Sequence, residues 1–121
     1  IAHREHPVVA NIRQYVLRNL NKPLTIDVLA HQADMSKFYF ARWYKQTTGM
    51  TPMAFTRCLR MQNAKHLLET SHLPQKIISN ICGLGDQITF CRAFRRQFKM
   101  TPSAFRKTVL GKGQGGGDNI E

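Results

Sequence analysis

Residues 38–57 read FYFARWYKQTTGMTPMAFTR, and residues 88–107 read ITFCRAFRRQFKMTPSAFRK. The two stretches lie 50 residues apart, and their alignment places Arg42 on Arg92. The tripeptide Met-Thr-Pro and the Ala-Phe pair behind it recur in the same register. Because the apolar and the basic positions repeat together, the chain contains two copies of one unit. Two copies are too few for a stacked repeat array, so we expect a pair of small modules.

The charge of the chain narrows the class of partner. Its 121 residues include 18 lysines and arginines against 7 acidic residues, a formal net charge of +11. This balance is typical of a protein that binds a polyanion such as nucleic acid. No apolar run approaches the roughly 18 residues of a membrane-spanning helix, and no signal peptide opens the chain. We therefore expect a soluble, cytoplasmic protein with no membrane partner.

Cysteines and histidines give no pattern of a disulfide, metal or cofactor site. The three cysteines, Cys58, Cys82 and Cys91, are odd in number and lack CxxC spacing, so we interpret them as reduced thiols. His3 and His6 have a spacing that occurs in metal sites, but no second ligand cluster accompanies them. We expect no metal and no cofactor.

Apolar periodicity predicts an all-α fold of seven helices. Proline or a capping residue marks most of the expected starts, as at Ser36, Asp86 and the two Thr-Pro pairs. The predicted helices cover approximately residues 7–20, 26–33, 37–48, 53–69, 74–82 and 87–98, with a last short helix from 102.

The helices group into an ordered series of regions. We expect residues 1–50 to form an N-terminal helix and a first helix-turn-helix subdomain, and residues 51–69 to form a bridging helix. A second helix-turn-helix subdomain should occupy residues 70–108. Residues 109–121 contain GKGQGGGDNIE and too few apolar side chains to order themselves, so we expect a disordered Gly-rich tail.

Two segments have the residue types that a helix-turn-helix motif needs. Such a motif requires a small residue where its helices cross, a residue that tolerates a left-handed turn, and a bulky apolar residue in the second helix. These three positions are filled in order by Ala30, Asp34 and Phe40 in the first segment and by Ser79, Gly83 and Phe90 in the second. Asp adopts the left-handed conformation at some cost, whereas Gly adopts it freely.

The segments GLGDQITFCRAFRRQFKMTPSAFRK (Gly83–Lys107) and TIDVLAHQADMSKFYFARWYKQTTGMTP (Thr25–Pro52) resemble the DNA-binding domain of the AraC/XylS family of bacterial transcription regulators. The resemblance covers about residues 7–107. It implies two helix-turn-helix subdomains joined by a long helix, with their recognition helices in successive major-groove segments on one face of double-stranded DNA. The chain departs from the family pattern at Asp34, where Gly is usual, and at Ser79, where Ala is usual.

The periodicity of the third and sixth helices separates a core face from a face available to DNA. If Phe40, Trp43 and Tyr44 point into the core, the residues on the other side of that helix face solvent. We expect these exposed faces to contact the bases through Phe38, Ala41, Arg42, Lys45, Gln87, Ile88, Cys91, Arg92 and Arg95.

Arg42 and Arg92 occupy equivalent positions in the repeat. A guanidinium there can pair with guanine O6 and N7, the commonest specific contact in the major groove. The alternative for each is a solvated or phosphate-bound side chain, and Gln87 and Thr89 could contact either a base or a phosphate. We expect phosphate contacts, which position the protein without specifying sequence, from Ser36, Lys37, Arg57, Thr89, Arg96, Lys99, Arg106 and Lys107.

The pattern favours a DNA-binding module with no catalytic residues. Because the chain begins at Ile1 without an initiator Met, we expect it to belong to a longer regulator. RNA polymerase would be a partner of that full-length protein, and any small-molecule effector would bind a different domain. Two alternatives stay open, namely a nonspecific nucleic-acid-binding protein and the DNA-binding part of a DNA-repair alkyl-acceptor protein. An enzyme would need a nucleophile with a base, for which Cys82 or Cys91 with His66 is the only thin candidate.

Overall fold

The computed structural model describes residues 4–114, with the side chains of residues 4–110. This range contains seven helices and no strand, so the predicted all-α fold is confirmed. The helices are α1 (Pro7–Arg18), α2 (Ile26–Gln32), α3 (Lys37–Thr48), α4 (Pro52–Thr70), α5 (Gln75–Ile81), α6 (Gln87–Phe98) and α7 (Pro102–Gln114). The chain divides into two compact units, Ile1–Arg60 and Met61–Glu121, and the division falls within α4.

Side chains at the helix starts satisfy backbone groups that the helices leave unpaired. The Ser36 hydroxyl accepts a hydrogen bond from the Tyr39 backbone N–H at 3.3 Å, and the Asp86 carboxylate accepts one from the Thr89 N–H at 2.8 Å. The hydroxyls of the two Thr-Pro pairs do the same at the starts of α4 and α7, each at 3.1 Å. The predicted starts therefore correspond to real caps.

The core of the first unit lies between α1 and the helix-turn-helix pair formed by α2 and α3. Val9, Ile12 and Val16 line the buried face of α1. They belong to one cluster with Phe40 and Tyr44 of α3, whose ring centroids are 5.4 Å apart. Burying this apolar surface holds the two parts together.

The second unit repeats this plan with the C-terminal half of α4 in place of α1. Met61, Ala64 and Leu68 form one buried face, at the same spacing as the core residues of α1 and 52 residues further along the chain. They belong to one cluster with Phe90 and Phe94 of α6. The repeat therefore extends to the helix that supports each motif, which sequence comparison of the two halves did not reveal.

The turns of both motifs have the predicted conformations. Ala30 and Ser79 are buried, as residues at a helix crossing must be. Asp34 has φ 59° and Gly83 has φ 68°, both in the left-handed region. The second turn has one more residue, and Gly85 in it also has a positive φ of 85°.

The C-terminal helix is longer than predicted. Disorder was expected from residue 109, but α7 continues to Gln114. Val109 and Leu110 are half-buried, and a helix that has begun gains one hydrogen bond for each further residue. The remainder of the predicted tail lies outside the described residues.

Candidate nucleic-acid interface

The second helix of each motif presents the same pattern of exposure. From Ser36 to Pro52 and from Asp86 to Pro102, every position is buried, half-buried or exposed as its counterpart in the other unit is. Phe40 and Phe90 are fully buried, and the two residues before each of them are exposed. The sequence repeat is thus also a repeat of one outward-facing surface.

The predicted base-contacting residues divide into an exposed and a half-buried group. The half-buried members are Ala41 and Cys91, which occupy equivalent positions. The exposed members are Phe38, Arg42, Lys45, Gln87, Ile88, Arg92 and Arg95. The helical phase is therefore as predicted, with the arginines outward and the phenylalanines at the core.

Two large apolar side chains stand among these charges. Phe38 is 77% exposed and Ile88 is 64% exposed, and they are counterparts in the repeat. Single exposed apolar side chains are common on protein surfaces, so it is their recurrence at one position of a basic surface that makes these two candidates for binding. In the major groove the apolar feature of a base edge is the thymine methyl group, which such side chains can contact.

One exposed residue of this surface was not predicted. Tyr39 is 51% exposed and lies in the first turn of α3. Its counterpart in the repeat is Thr89, which the sequence did suggest as a DNA contact. The alignment of the two units carries this signal, because it pairs Tyr39 with Thr89.

A groove runs beside α6 in the second unit. Residues of α5, of the turn and of α6 line it together, and they are Lys76, Ser79, Asn80, Gly85, Asp86, Gln87, Ile88, Cys91 and Arg92. Lys76 and Asn80 are exposed polar residues that the sequence did not suggest as DNA contacts. Only the spatial closeness of α5 and α6 places them next to the predicted face.

The predicted phosphate-contacting residues have different surroundings. Lys37 lies 3.9 Å from the Asp27 carboxylate and 5.8 Å from the ring of Phe38, at an exposed site where such a pair contributes little. The Ser36 hydroxyl already accepts the capping hydrogen bond, but its proton can still be donated. The exposed members of the set are Ser36, Lys37, Arg57, Thr89, Arg96, Lys99 and Lys107.

Arg106 differs from the other members of this set, because its guanidinium is hydrogen-bonded within the fold. It donates to the backbone carbonyls of Leu68 at 3.4 Å, Ser71 at 3.0 Å and Leu73 at 2.6 Å. These carbonyls lie at the end of α4 and in the segment behind it, where a helix leaves acceptors unpaired. The Arg106 guanidinium therefore stabilises a helix end, and its contact with phosphate stays a prediction.

The Asp86 carboxylate places a negative charge at the N-terminus of α6, beside the predicted base-contacting face. The pKa of Asp86 is lowered, mainly because the Thr89 backbone N–H donates to its carboxylate. The positive end of the helix dipole favours the same ionised form. The equivalent residue in α3, Ser36, is neutral, so the two units differ in charge at this end of the surface.

The three thiols differ in burial and in their hydrogen bonds. Cys58 is half-buried and Cys82 is fully buried, and the Cys82 sulfur accepts a hydrogen bond from the Asn63 amide at 3.4 Å. Desolvation by burial raises the pKa of Cys91. Within residues 4–114, no three His, Cys, Asp or Glu side chains lie together in a way that could hold a metal ion. His3 lies outside the described residues.

Known proteins with a similar sequence are regulators of transcription. The family described as "Helix-turn-helix domain" matches residues 29–108. The regulatory protein SoxS of Escherichia coli K12 is 33% identical over 99 residues, which cover 82% of this chain and 92% of SoxS. The regulator AlkR of Acinetobacter baylyi is 33% identical over 102 residues, 84% of this chain. The chain spans 33% of the length of AlkR and 37% of the length of the E. coli activator RclR.

Solved structures with a similar fold include DNA-binding domains of transcription regulators. The DNA-binding domain of the transcription factor AdpA, crystallised with a target DNA, has a TM-score of 0.81 and 28% identity, and the match covers 93% of this chain and 100% of that one. An AraC-type regulator from Chromobacterium violaceum has a TM-score of 0.79 and 25% identity, covering 85% and 92% of the two chains. Together with the paired motifs and their repeated exposed surfaces, these matches show that the chain belongs to the AraC/XylS family of DNA-binding domains.

Proposed function

We propose that this domain binds double-stranded DNA in a sequence-specific way as part of a bacterial transcription regulator. The observation that carries the proposal is an exposed surface that occurs once on α3 and again on α6. Each copy has an arginine and a large apolar side chain at the same two positions. A basic protein that binds nucleic acid without sequence preference would not need this surface twice. DNA in the crystal structure of the related AdpA domain supports the same partner.

The chemistry of the surface fits the major groove. Arg42 and Arg92 each have a planar set of donors that matches guanine O6 and N7, and Phe38 and Ile88 match thymine methyl groups. Lys45 and Arg95, one turn further along, add charge on the same face. We assign α3 and α6 as the two recognition helices, which would occupy two successive major-groove segments.

The exposed basic residues around this surface would bind the phosphates. Lys37, Arg57, Arg96, Lys99 and Lys107 are exposed, and Lys99 directly follows the end of α6. Contacts of this kind fix orientation and supply much of the affinity, but they do not distinguish sequences.

We extend the proposal to the whole protein by similarity. The longer relatives are transcription regulators, which supports a non-enzymatic role for this domain, a cytoplasmic location, and RNA polymerase as a partner of the full-length protein. An effector, if one exists, would bind a separate domain.

Within this chain, α4 contributes to both units and is our proposed bridge between the two helix-turn-helix subdomains. No helix in the described part of the chain is long and apolar enough to cross a membrane.

The test is selection of bound duplexes from a random DNA pool, followed by titration at several salt concentrations. We expect enrichment of an asymmetric site with two unlike segments. Each neutralised phosphate contributes about −0.9 to the slope of log affinity against log salt, so roughly six contacts give a slope of about −5. Lys99→Ala should weaken selected and random DNA to a similar extent. A pool that shows no enrichment would leave only nonspecific binding, and a slope near zero would exclude DNA as the partner.

A further inference from the structure

The first residue of α5 connects three helices of the second unit. The oxygen of the Gln75 side-chain amide accepts a hydrogen bond from the Cys91 thiol of α6 at 3.2 Å. Its amide nitrogen donates to the Ser103 hydroxyl of α7 at 2.9 Å. One side chain thus connects the recognition helix to the helices before and after it in the chain.

The first unit has apolar side chains at the same three positions. Ile26 is the first residue of α2, Ala41 is the repeat counterpart of Cys91, and Met53 is the second residue of α4 as Ser103 is of α7. Ile26 and Met53 pack against the core of their unit. At these three positions the two units therefore differ, with apolar packing in the first and hydrogen bonds in the second.

Cys91 stands at a sensitive place on α6. It precedes Arg92 directly and follows Ile88 by less than one turn, and all three line the same groove. A small rotation or shift of α6 at Cys91 would therefore redirect both predicted base contacts. Burial raises the pKa of the Cys91 thiol, which keeps the proton that the hydrogen bond to Gln75 requires.

The direction of these bonds matters more than their strength. A hydrogen bond weakens steeply when its angle departs from linearity, whereas apolar contact is non-directional. Gln75 is half-buried and Ser103 is exposed, so water can replace the lost partners and the net loss of stability should be small. Water cannot replace the directional link that this one side chain makes between α5, α6 and α7.

We propose that Gln75 is a positioning residue for DNA recognition, which orients α6 through its hydrogen bonds to Cys91 and Ser103 so that Arg92 and Ile88 meet their base pairs. This inference rests on the proposed function, because it concerns how the second recognition helix is held against DNA. It goes beyond that function in assigning part of the sequence preference to a residue outside the predicted DNA-contacting surface.

The test uses Gln75→Met, which preserves the length of the side chain and removes both hydrogen bonds. We expect about a five- to tenfold loss of affinity for the selected duplex, which corresponds to one neutral hydrogen bond, and less than about a twofold loss for random DNA. Base preference should fall only in the segment that Arg92→Ala also affects. Gln14→Met, the same change at an exposed position of α1, is the matched control and should leave both affinities unchanged.

A double-mutant cycle identifies the bond responsible. Cys91→Ala should give a similar loss of preference, and combining it with Gln75→Met should add little, because both changes remove the same contact. Fully additive losses would overturn the proposal. A Gln75→Met variant with a lower thermal midpoint and an unchanged base preference would also overturn the proposal, because Gln75 would then contribute to stability alone. A wild-type domain that selects no sequence at all would contradict the proposed function, and this outcome is distinct from the two that overturn the role of Gln75.

Discussion

The first unit contains a buried tyrosine where the second contains a buried phenylalanine. Tyr44 and Phe94 are both fully buried and occupy equivalent positions in α3 and α6. Within the described residues, the Tyr44 hydroxyl is buried and has no hydrogen-bond partner. The same backbone plan therefore tolerates different interior chemistry, with a polar group in the first unit that the fold does not satisfy.

Other contacts repeat with their chemistry only partly preserved. The Arg13 guanidinium lies 5.2 Å from the ring centre of Phe55, and the Lys65 ammonium lies 5.6 Å from that of Phe105, the counterpart of Phe55. Arg13 also makes an ion pair with Glu5, with a nitrogen-to-oxygen distance of 2.6 Å. Each unit thus places a cation over the same aromatic position, and what recurs is the kind of contact, not the residue.

The exposed surfaces differ in a way that has a functional consequence. Arg42 and Arg92 are identical counterparts, but Phe38 corresponds to Ile88 and Lys45 corresponds to Arg95. Two surfaces that share an arginine and differ around it should bind segments that share a guanine and differ around it. Under the proposed function, the comparison predicts an asymmetric site.

Replacing the shared arginines should have the largest effect on this comparison. We expect Arg42→Ala and Arg92→Ala each to cost about 1–3 kcal/mol on the selected duplex and to relax preference at one or two base pairs. The positions affected should lie in different segments, because each arginine belongs to a different recognition helix. Competition between duplexes altered at single base pairs measures this.

A matched control separates base contact from general charge. Arg18→Ala removes an exposed arginine of α1 that is outside the predicted surface, and it should change the affinity for selected and random DNA alike by only a small amount. If Arg42→Ala or Arg92→Ala weakened random DNA as much as the selected duplex, that arginine would be a phosphate contact.

Exchanging the buried aromatic residues tests the interior of the two units. Phe94→Tyr introduces a hydroxyl into a buried position and should reduce the free energy of unfolding by about 1–3 kcal/mol if the hydroxyl finds no partner. Tyr44→Phe removes an unsatisfied hydroxyl and should be neutral or stabilising, by up to about 1 kcal/mol. Denaturant titration of both variants gives the values, and DNA affinity at low temperature serves as the control for folding.

The opposite result would be informative as well. A clear loss of stability in Tyr44→Phe would show that the hydroxyl forms a favourable interaction in solution, such as a hydrogen bond to water. Burial raises the pKa of Tyr44, so the group in question is the neutral hydroxyl throughout the ordinary pH range.

Local features of this fold were predictable from sequence, and long-range contacts were not. The caps at Ser36 and Asp86 join residues three positions apart, and the buried positions of Phe40 and Phe90 follow from helical periodicity. Arg106, by contrast, donates to carbonyls 33 to 38 residues earlier in the chain. From sequence alone, an arginine in a basic segment is a candidate phosphate ligand. Only the fold shows that the Arg106 guanidinium donates to backbone carbonyls.

The same limit applies to the candidate site. The phase of the exposed faces was predictable because Arg42 and Arg92 repeat in register with the buried rings. The half-buried state of Cys91 and its bond to Gln75 depend on how α5 packs on α6, which no spacing within α6 reveals. Sequence therefore indicates which faces of α3 and α6 are exposed, and the structure adds the contacts that α6 makes with α5.

The helix caps should give the smallest and most local difference between the units. The pKa of Asp86 is lowered, so its cap is fully present above the unfolded-state value of about 3.9 and is lost as the pH falls through the lower folded-state value. Ser36 caps α3 with a hydroxyl, which does not titrate in this range. We expect the amide resonance of Thr89 to shift with a midpoint below about 3.9, while that of Tyr39 stays nearly constant.

Amide NMR between pH 6 and pH 2 follows both residues in one sample. Asp86→Ser gives the second unit the cap of the first, so the Thr89 amide should then lose its titration and behave like the Tyr39 amide. Because Asp86 is fully exposed, the change should stay within the first turn of α6 and leave the core resonances of Phe90 in place. If Thr89 and Tyr39 shifted together in the wild-type domain, acid would be acting on the whole fold and not on one cap. A Thr89 titration that survived Asp86→Ser would mean that another carboxylate faces α6, and the charge difference between the two recognition helices would then need a different source.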